Sequence, residues 1–160
     1  MIDFSCQKRG FSLIELLVTM AIIAVLASAA LPLAETSVKR GKEIELRRNL
    51  RLLREAIDSY KKLADEKKFE FDEETYGYPP NLETLVEGLE ITEKDNDREV
   101  VKMVRFLRRI PRDPMTNSTE WGQRSYQDDP DTISWGGENV YDIFTRSPGT
   151  GLDGTKYADW

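Results

Sequence analysis

The 160-residue sequence carries a formal charge of −6, with 32 % charged and 39 % hydrophobic residues, a balance that suits one small domain or a short appendage plus a domain of about 100 residues. An acidic total excludes a protein that neutralises nucleic-acid phosphates over its whole surface. There is no histidine and Cys6 is the single cysteine, which removes the commonest general base, an intramolecular disulfide and any cysteine or histidine zinc cluster.

Residues 8–34 read KRGFSLIELLVTMAIIAVLASAALPLA. Nineteen residues from Leu16 to Ala34 carry no charge, and at about 1.5 Å per residue a helix of that length just crosses a hydrocarbon core of roughly 30 Å. A discarded Sec-type signal peptide is the plain alternative. Against it, the run is long, and the small residues ASAA lead into Leu31 and Pro32 rather than into a polar mature start. Lys8 and Arg9 precede the run, so the positive-inside rule places the first ten residues in the cytoplasm and the remainder outside. Glu15 is the anomaly. A carboxylate in a spanning helix costs at least a few kcal/mol and is by default paired or functional, yet no basic residue follows it for nineteen positions. A cut between Gly10 and Phe11 supplies a partner, because the new α-amino group lies one helical turn away. The amine of a neighbouring subunit would serve equally, and that pairing would set a one-step register between packed helices.

The stretch RGFSLIELLVTMAIIAVLASAALP resembles the class III signal and transmembrane stem of type IV pilin-like proteins. The resemblance implies that a prepilin peptidase cuts after Gly10 and methylates Phe11, that Glu15 acts in subunit assembly, and that Pro32 kinks the stem. Cys6 would leave with the leader. The expected organisation is therefore a cytoplasmic leader over 1–10, a transmembrane and assembly helix over 11–34, and a periplasmic globular domain over 35–160.

After Pro32 the apolar pattern becomes periodic. Leu46, Leu50, Leu53, Ile57, Tyr60 and Ala64 recur at three and four residues, one stripe of an amphipathic helix. One long helix from about Phe11 to Lys68 is expected, with Pro32 and Gly41 as places to bend or melt. Arg47, Arg48, Arg51, Arg54, Lys61 and Lys62 alternate with Glu43, Glu45, Glu55 and Asp58, which reads as a solvated face rather than a nucleic-acid surface. YGYPPNLETLVEGL (76–89) predicts a turn and a short helix capped by Asn81, with Leu82, Leu85, Val86 and Leu89 on its apolar face. VVKMVRFLRRIPRDP (100–114) predicts a second short amphipathic stretch ended by Pro111, with Lys102, Arg105, Arg109 and Arg112 on one face. WGQRSYQ and NVYDIFT predict two short strands, the second with Tyr141, Ile143 and in part Val140 turned inward, and DDPDTISWGGE between them a loop with an exposed acidic turn. The fold class expected is α+β: a type IV pilin-like fold with a long N-terminal helix on a small antiparallel sheet and a long C-terminal loop.

YPPNLETL and RIPRDPMTN are similar to the Y-P-x-x-L-x-x-L and P-x-D-P-x-x-N segments of major pseudopilins of type II secretion systems. Proteins of that kind hold the C-terminal loop around calcium. In TRSPGTGLDGTKYADW (145–160) the oxygen donors would be Asp153, Asp159, Ser147, Thr155 and backbone carbonyls. Lys156 stands where further acids are common, and packing of Tyr157 and Trp160 against the sheet is the alternative way to pin this loop. No G-x-S-x-G, S-x-x-K or phosphate-cradling glycine loop is present, so no enzyme is expected. The function implied is that of a structural subunit of a periplasmic pseudopilus. Its partners would be copies of itself, the prepilin peptidase, an inner-membrane assembly platform with its ATPase, and minor pseudopilins, with no nucleic acid. A type IV pilus subunit and a non-polymerising membrane-anchored binding module are the alternatives.

Overall fold

The computed structural model describes residues 10–95, 98–130 and 132–160. Residues 1–9, and with them Cys6 and most of the expected leader, lie outside the described residues. The chain divides into two compact units, Met1–Arg40 and Gly41–Trp160.

Helix α1 is assigned over Leu13–Asp65. Among the described residues of the first unit nothing covers its apolar side chains. Phe11, Leu13, Ile14, Leu17, Ile23, Val25 and Leu26 are each more than half exposed, and the segment is long and apolar enough to cross a membrane. Its hydroxyls are satisfied within the helix, as an apolar surrounding requires: Thr19 Oγ1 donates to the Leu16 carbonyl at 2.9 Å and Ser28 Oγ to that of Val25 at 2.7 Å. Thr36 Oγ1 donates to the Pro32 carbonyl at 2.9 Å, and Pro32, which has no N–H to give to the ladder, and Gly41 both lie inside the assigned helix.

The helix stops three residues before the expected Lys68, and the reason is local. Lys67 adopts φ +52°, its N–H donates to the Ala64 carbonyl at 2.9 Å, and the Lys68 N–H donates to the Leu63 carbonyl at 3.1 Å. These two bonds make a Schellman closure, with Lys67 in the left-handed position that glycine ordinarily fills.

In the second unit Leu46, Leu50, Leu53, Ile57, Tyr60 and Ala64 are all buried, so the stripe read from the sequence is the core face. The stripe residues other than Ala64 form one cluster with Leu82, Leu85, Leu107, Trp121, Val140, Ile143 and Tyr157, and each fully buried aliphatic chain contributes roughly 1.5–3 kcal/mol. Helix α2 spans Leu82–Glu87, and the Asn81 side chain caps it by accepting from the Thr84 N–H at 2.9 Å. Leu82 and Leu85 are the buried pair.

Strands β1 (Leu89–Asp95) and β2 (Arg98–Val104) form an antiparallel hairpin in which Leu89 faces Val104 and Asp95 faces Arg98. This corrects the reading of residues 100–114 as one amphipathic stretch. Lys102 lies in a strand, whereas Arg105, Arg109 and Arg112 follow in irregular chain. Strands β3 (Gly122–Arg124) and β4 (Asp142–Phe144) pair antiparallel, as expected for this part, with Gly122 opposite Phe144. A Cβ on Gly122 would stand 2.4 Å from the Phe144 ring, which explains a glycine inside a strand. Val140 and Ile143 turn inward, but Tyr141 is 47 % exposed: it precedes β4 and joins other tyrosines at the surface instead of the core.

Both proline segments serve the core. Pro79 is buried and its carbonyl accepts from the Val140 N–H at 2.8 Å. Asp113 is fully buried, accepting from the Met115 N–H at 2.8 Å and from the Thr145 hydroxyl.

Lys67→Gly is expected to stabilise the fold by about 0.5–1 kcal/mol, the left-handed penalty relieved less the entropy of the added glycine. Leu53→Ala is expected to destabilise by about 2–5 kcal/mol. Chemical denaturation of the detergent-solubilised protein measures both.

Candidate functional site

Two groups of residues carry chemistry. The first is at the start of the stem. Gly10 and Phe11 precede α1 and are exposed, Phe11 at 83 %. The Ser12 carbonyl accepts from the Leu16 N–H at 3.1 Å, closing the first turn, and Glu15 lies in that turn. Ser12-x-x-Glu15 has the spacing of a capping box, and a first-turn carboxylate faces the positive end of the helix dipole, but among the described residues neither side chain makes the capping hydrogen bonds. Among the described residues no ion pair engages Glu15.

The second group fastens the C-terminal segment to α1 within Gly41–Trp160. The segment first folds on itself: Gly151 N–H donates to the Thr155 carbonyl at 2.7 Å, Tyr157 N–H to that of Gly149 at 3.1 Å, and Thr150 pairs with Lys156. Three side chains of α1 then hold it. Buried Glu43 accepts from the Tyr157 hydroxyl at 2.9 Å and from the Leu152 N–H at 2.8 Å. Arg47 donates to Asp153 Oδ2 at 3.1 Å and lies 4.0 Å over the Trp160 ring. Arg54 donates to Asp142 Oδ1 at 2.7 Å, to the Ile143 carbonyl at 3.2 Å and to the Trp160 carbonyl at 2.8 Å. Positions 43, 47 and 54 are one and three turns apart on a single flank. The sequence reading assigned them to the solvated face. The spacing alone could have suggested a shared flank but not its target.

Electrostatics follow the contacts. Hydrogen bonds from the Thr155 hydroxyl and N–H, then the Arg47 guanidinium, hold the Asp153 carboxyl below the usual carboxylate range. Burial, with Glu43 beside it, pushes the Tyr157 hydroxyl up to about 12.

The donors expected for calcium divide. Asp153, Thr155 and Asp159 line one shallow depression of about 660 Å³, together with Arg47, Lys156 and Trp160. Ser147 lines a different one, and its Oγ accepts from the Gly149 N–H at 3.4 Å. Calcium takes 6–8 oxygen ligands, favouring clustered carboxylates. Here two carboxylates share the depression with two cations, and the Asp153 oxygens are already engaged by Arg47 and Thr155. No group of three or more acidic or cysteine side chains is gathered among the described residues. As arranged, the donor set fits calcium poorly. Pinning by Tyr157 and Trp160 is realised, with their rings edge to face at 4.9 Å and the polar anchors coming from the helix.

A family model described as the prokaryotic N-terminal methylation motif matches residues 6–31. Over 57 residues the chain is 40 % identical to the type IV major pilin protein PilA of Myxococcus xanthus (strain DK1622). The chain carries the N-terminal stem of type IV pilin-like proteins. The match to that pilin covers 36 % of this chain and 26 % of the pilin's length. No solved structure matches the chain. The methylation-motif match lies on the stem, where Gly10, Phe11 and Glu15 stand, while the polar fastening of residues 145–160 is read from the structure of this chain alone.

Glu43→Ala strands the Tyr157 hydroxyl and the Leu152 N–H, and is expected to cost about 1–3 kcal/mol with faster proteolysis of the C-terminal segment. Tyr157 keeps its proton in the folded chain until about pH 12, against a reference value of 10.0. In that window the unfolded chain binds fewer protons, so stability is complete below pH 10 and falls as pH rises. Denaturation across this range should show a shallower alkaline loss for Tyr157→Phe.

Proposed function

We propose that this pilin-like chain is a structural subunit of a filament, closest in kind to the major subunit of a type II secretion pseudopilus. The observation that carries the reading is the methylation motif over residues 6–31, with a carboxylate in the first turn of an apolar helix whose side chains find no cover among the described residues of their own unit. A prepilin peptidase cuts after Gly10 and methylates Phe11, leaving a single-pass protein in the inner membrane with residues 35–160 in the periplasm. An assembly platform with its ATPase then transfers it into a helical homopolymer capped by minor pseudopilins. Apolar surface first covered by lipid becomes covered by other stems, so burial alone is roughly neutral. Register comes from Glu15, which meets the Phe11 amine of a neighbour, a pairing that is strong where water is excluded. The role is structural rather than catalytic. YPPNLETL and RIPRDPMTN support the pseudopilus reading, with Pro79 and Asp113 of these segments both in the core.

The match to a major pilin over 57 residues favours a second reading, a subunit of a type IV pilus. A calcium-bound tail is a separate proposal: it requires Arg47 to leave Asp153, and calcium should then raise the melting temperature more in Arg47→Ala than in the unaltered protein.

Glu15→Ala is expected to leave cleavage intact and abolish filaments, whereas Gly10→Val is expected to abolish cleavage. Immunoblots of processing and electron microscopy of sheared filaments read the two. Deleting the gene and comparing exported proteins with surface pili separates pseudopilus, where exported proteins are lost and pili kept, from pilus, where the reverse holds.

A further inference from the structure

Two surfaces of Gly41–Trp160 are left unmatched by anything in the unit. The first is an open groove of about 1190 Å³ between α1 and the chain after β2. Its floor is apolar, with Ile44 and Leu52 exposed, and its walls carry four arginines, Arg48, Arg108, Arg109 and Arg112, against two carboxylates of α1, Glu45 and Glu55, so that the cations are in excess. From Arg105 to Arg112 there are four arginines and no acid. Arg105 is held by the Glu87 carbonyl and Arg112 by Asn117, but among the described residues Arg48, Arg108 and Arg109 have no ion-pair partner. Unpaired guanidinium groups around an apolar floor suit an aromatic surface edged by carboxylates.

The second surface has that chemistry. Tyr76, Tyr78, Tyr126 and Tyr141 pack ring against ring with centroids 5.2–5.8 Å apart, and Tyr76, Tyr126 and Tyr141 remain about half exposed. The turn Asp72–Glu74 borders them: Tyr76 closes the 3-10 turn Glu73–Thr75, and Gln127 beside Tyr126 donates to the Glu74 carbonyl at 3.1 Å. Glu73 and Glu74 are exposed, and among the described residues neither is ion-paired. From α1, Lys61 lies 5.5 Å from the Tyr78 ring and is itself paired with Asp65.

The two surfaces cannot meet within one copy. At about 100° per residue, Lys61 and Asp65 on the tyrosine side and Arg48, Leu52 and Ser59 on the groove side occupy opposite flanks of α1, with the buried stripe between them. We propose that the arginine groove of one copy receives the tyrosine patch and the Asp72–Glu74 turn of a second copy. Because the two surfaces differ, the contact is heterologous: each added copy leaves one groove and one patch free, so it propagates from copy to copy unless the rotation closes a ring. It rests on the reading of the chain as a filament subunit, and adds to that reading a contact between globular domains, independent of the stem.

The test uses full-length protein in detergent carrying two different tags, with amine- and carboxyl-independent photo-crosslinking between copies as the readout. Arg108→Glu/Arg109→Glu copies alone, and Glu73→Lys/Glu74→Lys copies alone, are expected to lose inter-copy crosslinks by at least about tenfold, since like charges face each other. A mixture of the two restores them, because each reversed surface finds its complement. Tyr126→Ala weakens the crosslink and Tyr126→Phe keeps it, and added salt lowers it in the unaltered protein. Crosslinks unchanged in either reversed form, or absent from the mixture when both variants show unaltered circular dichroism, would overturn the proposal. Either result means that an anionic lipid or a different protein covers the groove. Repeating the set with Glu15→Ala separates the two readings: crosslinks that persist without filaments leave the domain contact standing and place the assembly defect in the stem, whereas crosslinks lost with Glu15 overturn the contact as independent.

Discussion

Six side chains on one stripe of α1, from Leu46 to Ala64, have to be kept from water, and the rest of Gly41–Trp160 is arranged by that need. Among the described residues the unit has no extended sheet to lay over the stripe. Its strands form two separate two-stranded ribbons, each marginal by itself. Cover is instead assembled piecewise: Leu82 and Leu85 from a six-residue helix, Leu107 and Trp121 from irregular chain, Val140 and Ile143 from around β4, and Tyr157 from the C-terminal segment. With so much irregular backbone near the core, its polar groups need specific partners. The buried Asp113, Ser125, Asn139 and Thr145 supply them. Ser125 Oγ donates to the Asn139 carbonyl at 3.0 Å, and the Asn139 side chain accepts from the Tyr126 N–H at 3.0 Å.

The polar flank of the same helix does a second job. Glu43, Arg47 and Arg54 hold residues 142–160 through a buried carboxylate, a guanidinium stacked on Trp160, and a guanidinium shared among two carbonyls and a carboxylate. The Arg47–Asp153 pair is exposed and contributes little as an ion pair. Glu43 carries more weight, because it is buried and satisfies two donors at once. One segment of helix therefore supplies both the apolar face that the domain covers and the fasteners that order the last residues.

Legibility in the sequence followed physical uniqueness. The stripe was readable because its 3.6-residue period has no other interpretation over nineteen residues, and the Asn81 cap because the side chain, the position and the following Leu82-x-x-Leu85 agree. The hairpin β1–β2 was missed because Val100, Met103, Val104 and Leu107 satisfy helical spacing as well as extended chain does. Only LEITEKD before it, with which it pairs, resolves the ambiguity, and pairing is not a local property. The end of α1 was misplaced because Lys67 occupies a left-handed position without the glycine that signals one. Glu15 stood out as a carboxylate in an apolar run. The anchoring roles of Glu43, Arg47 and Arg54 were hidden, since a charge on a helix face looks the same whether it meets water or a tail a hundred residues away.

That distance has a kinetic side. The bonds from Glu43 to Tyr157 and from Arg54 to Trp160 span 114 and 106 positions of the chain, among the largest loops this protein has to close, and such closures carry the largest entropic cost before any contact rewards them. The helix and the local turns form from neighbours. Tyr157 completes the core only when the C-terminal segment has been drawn back onto the first turns of the domain. The depression shared by Arg47, Asp153 and Trp160 is thus a surface that exists only once the two ends of the domain have met.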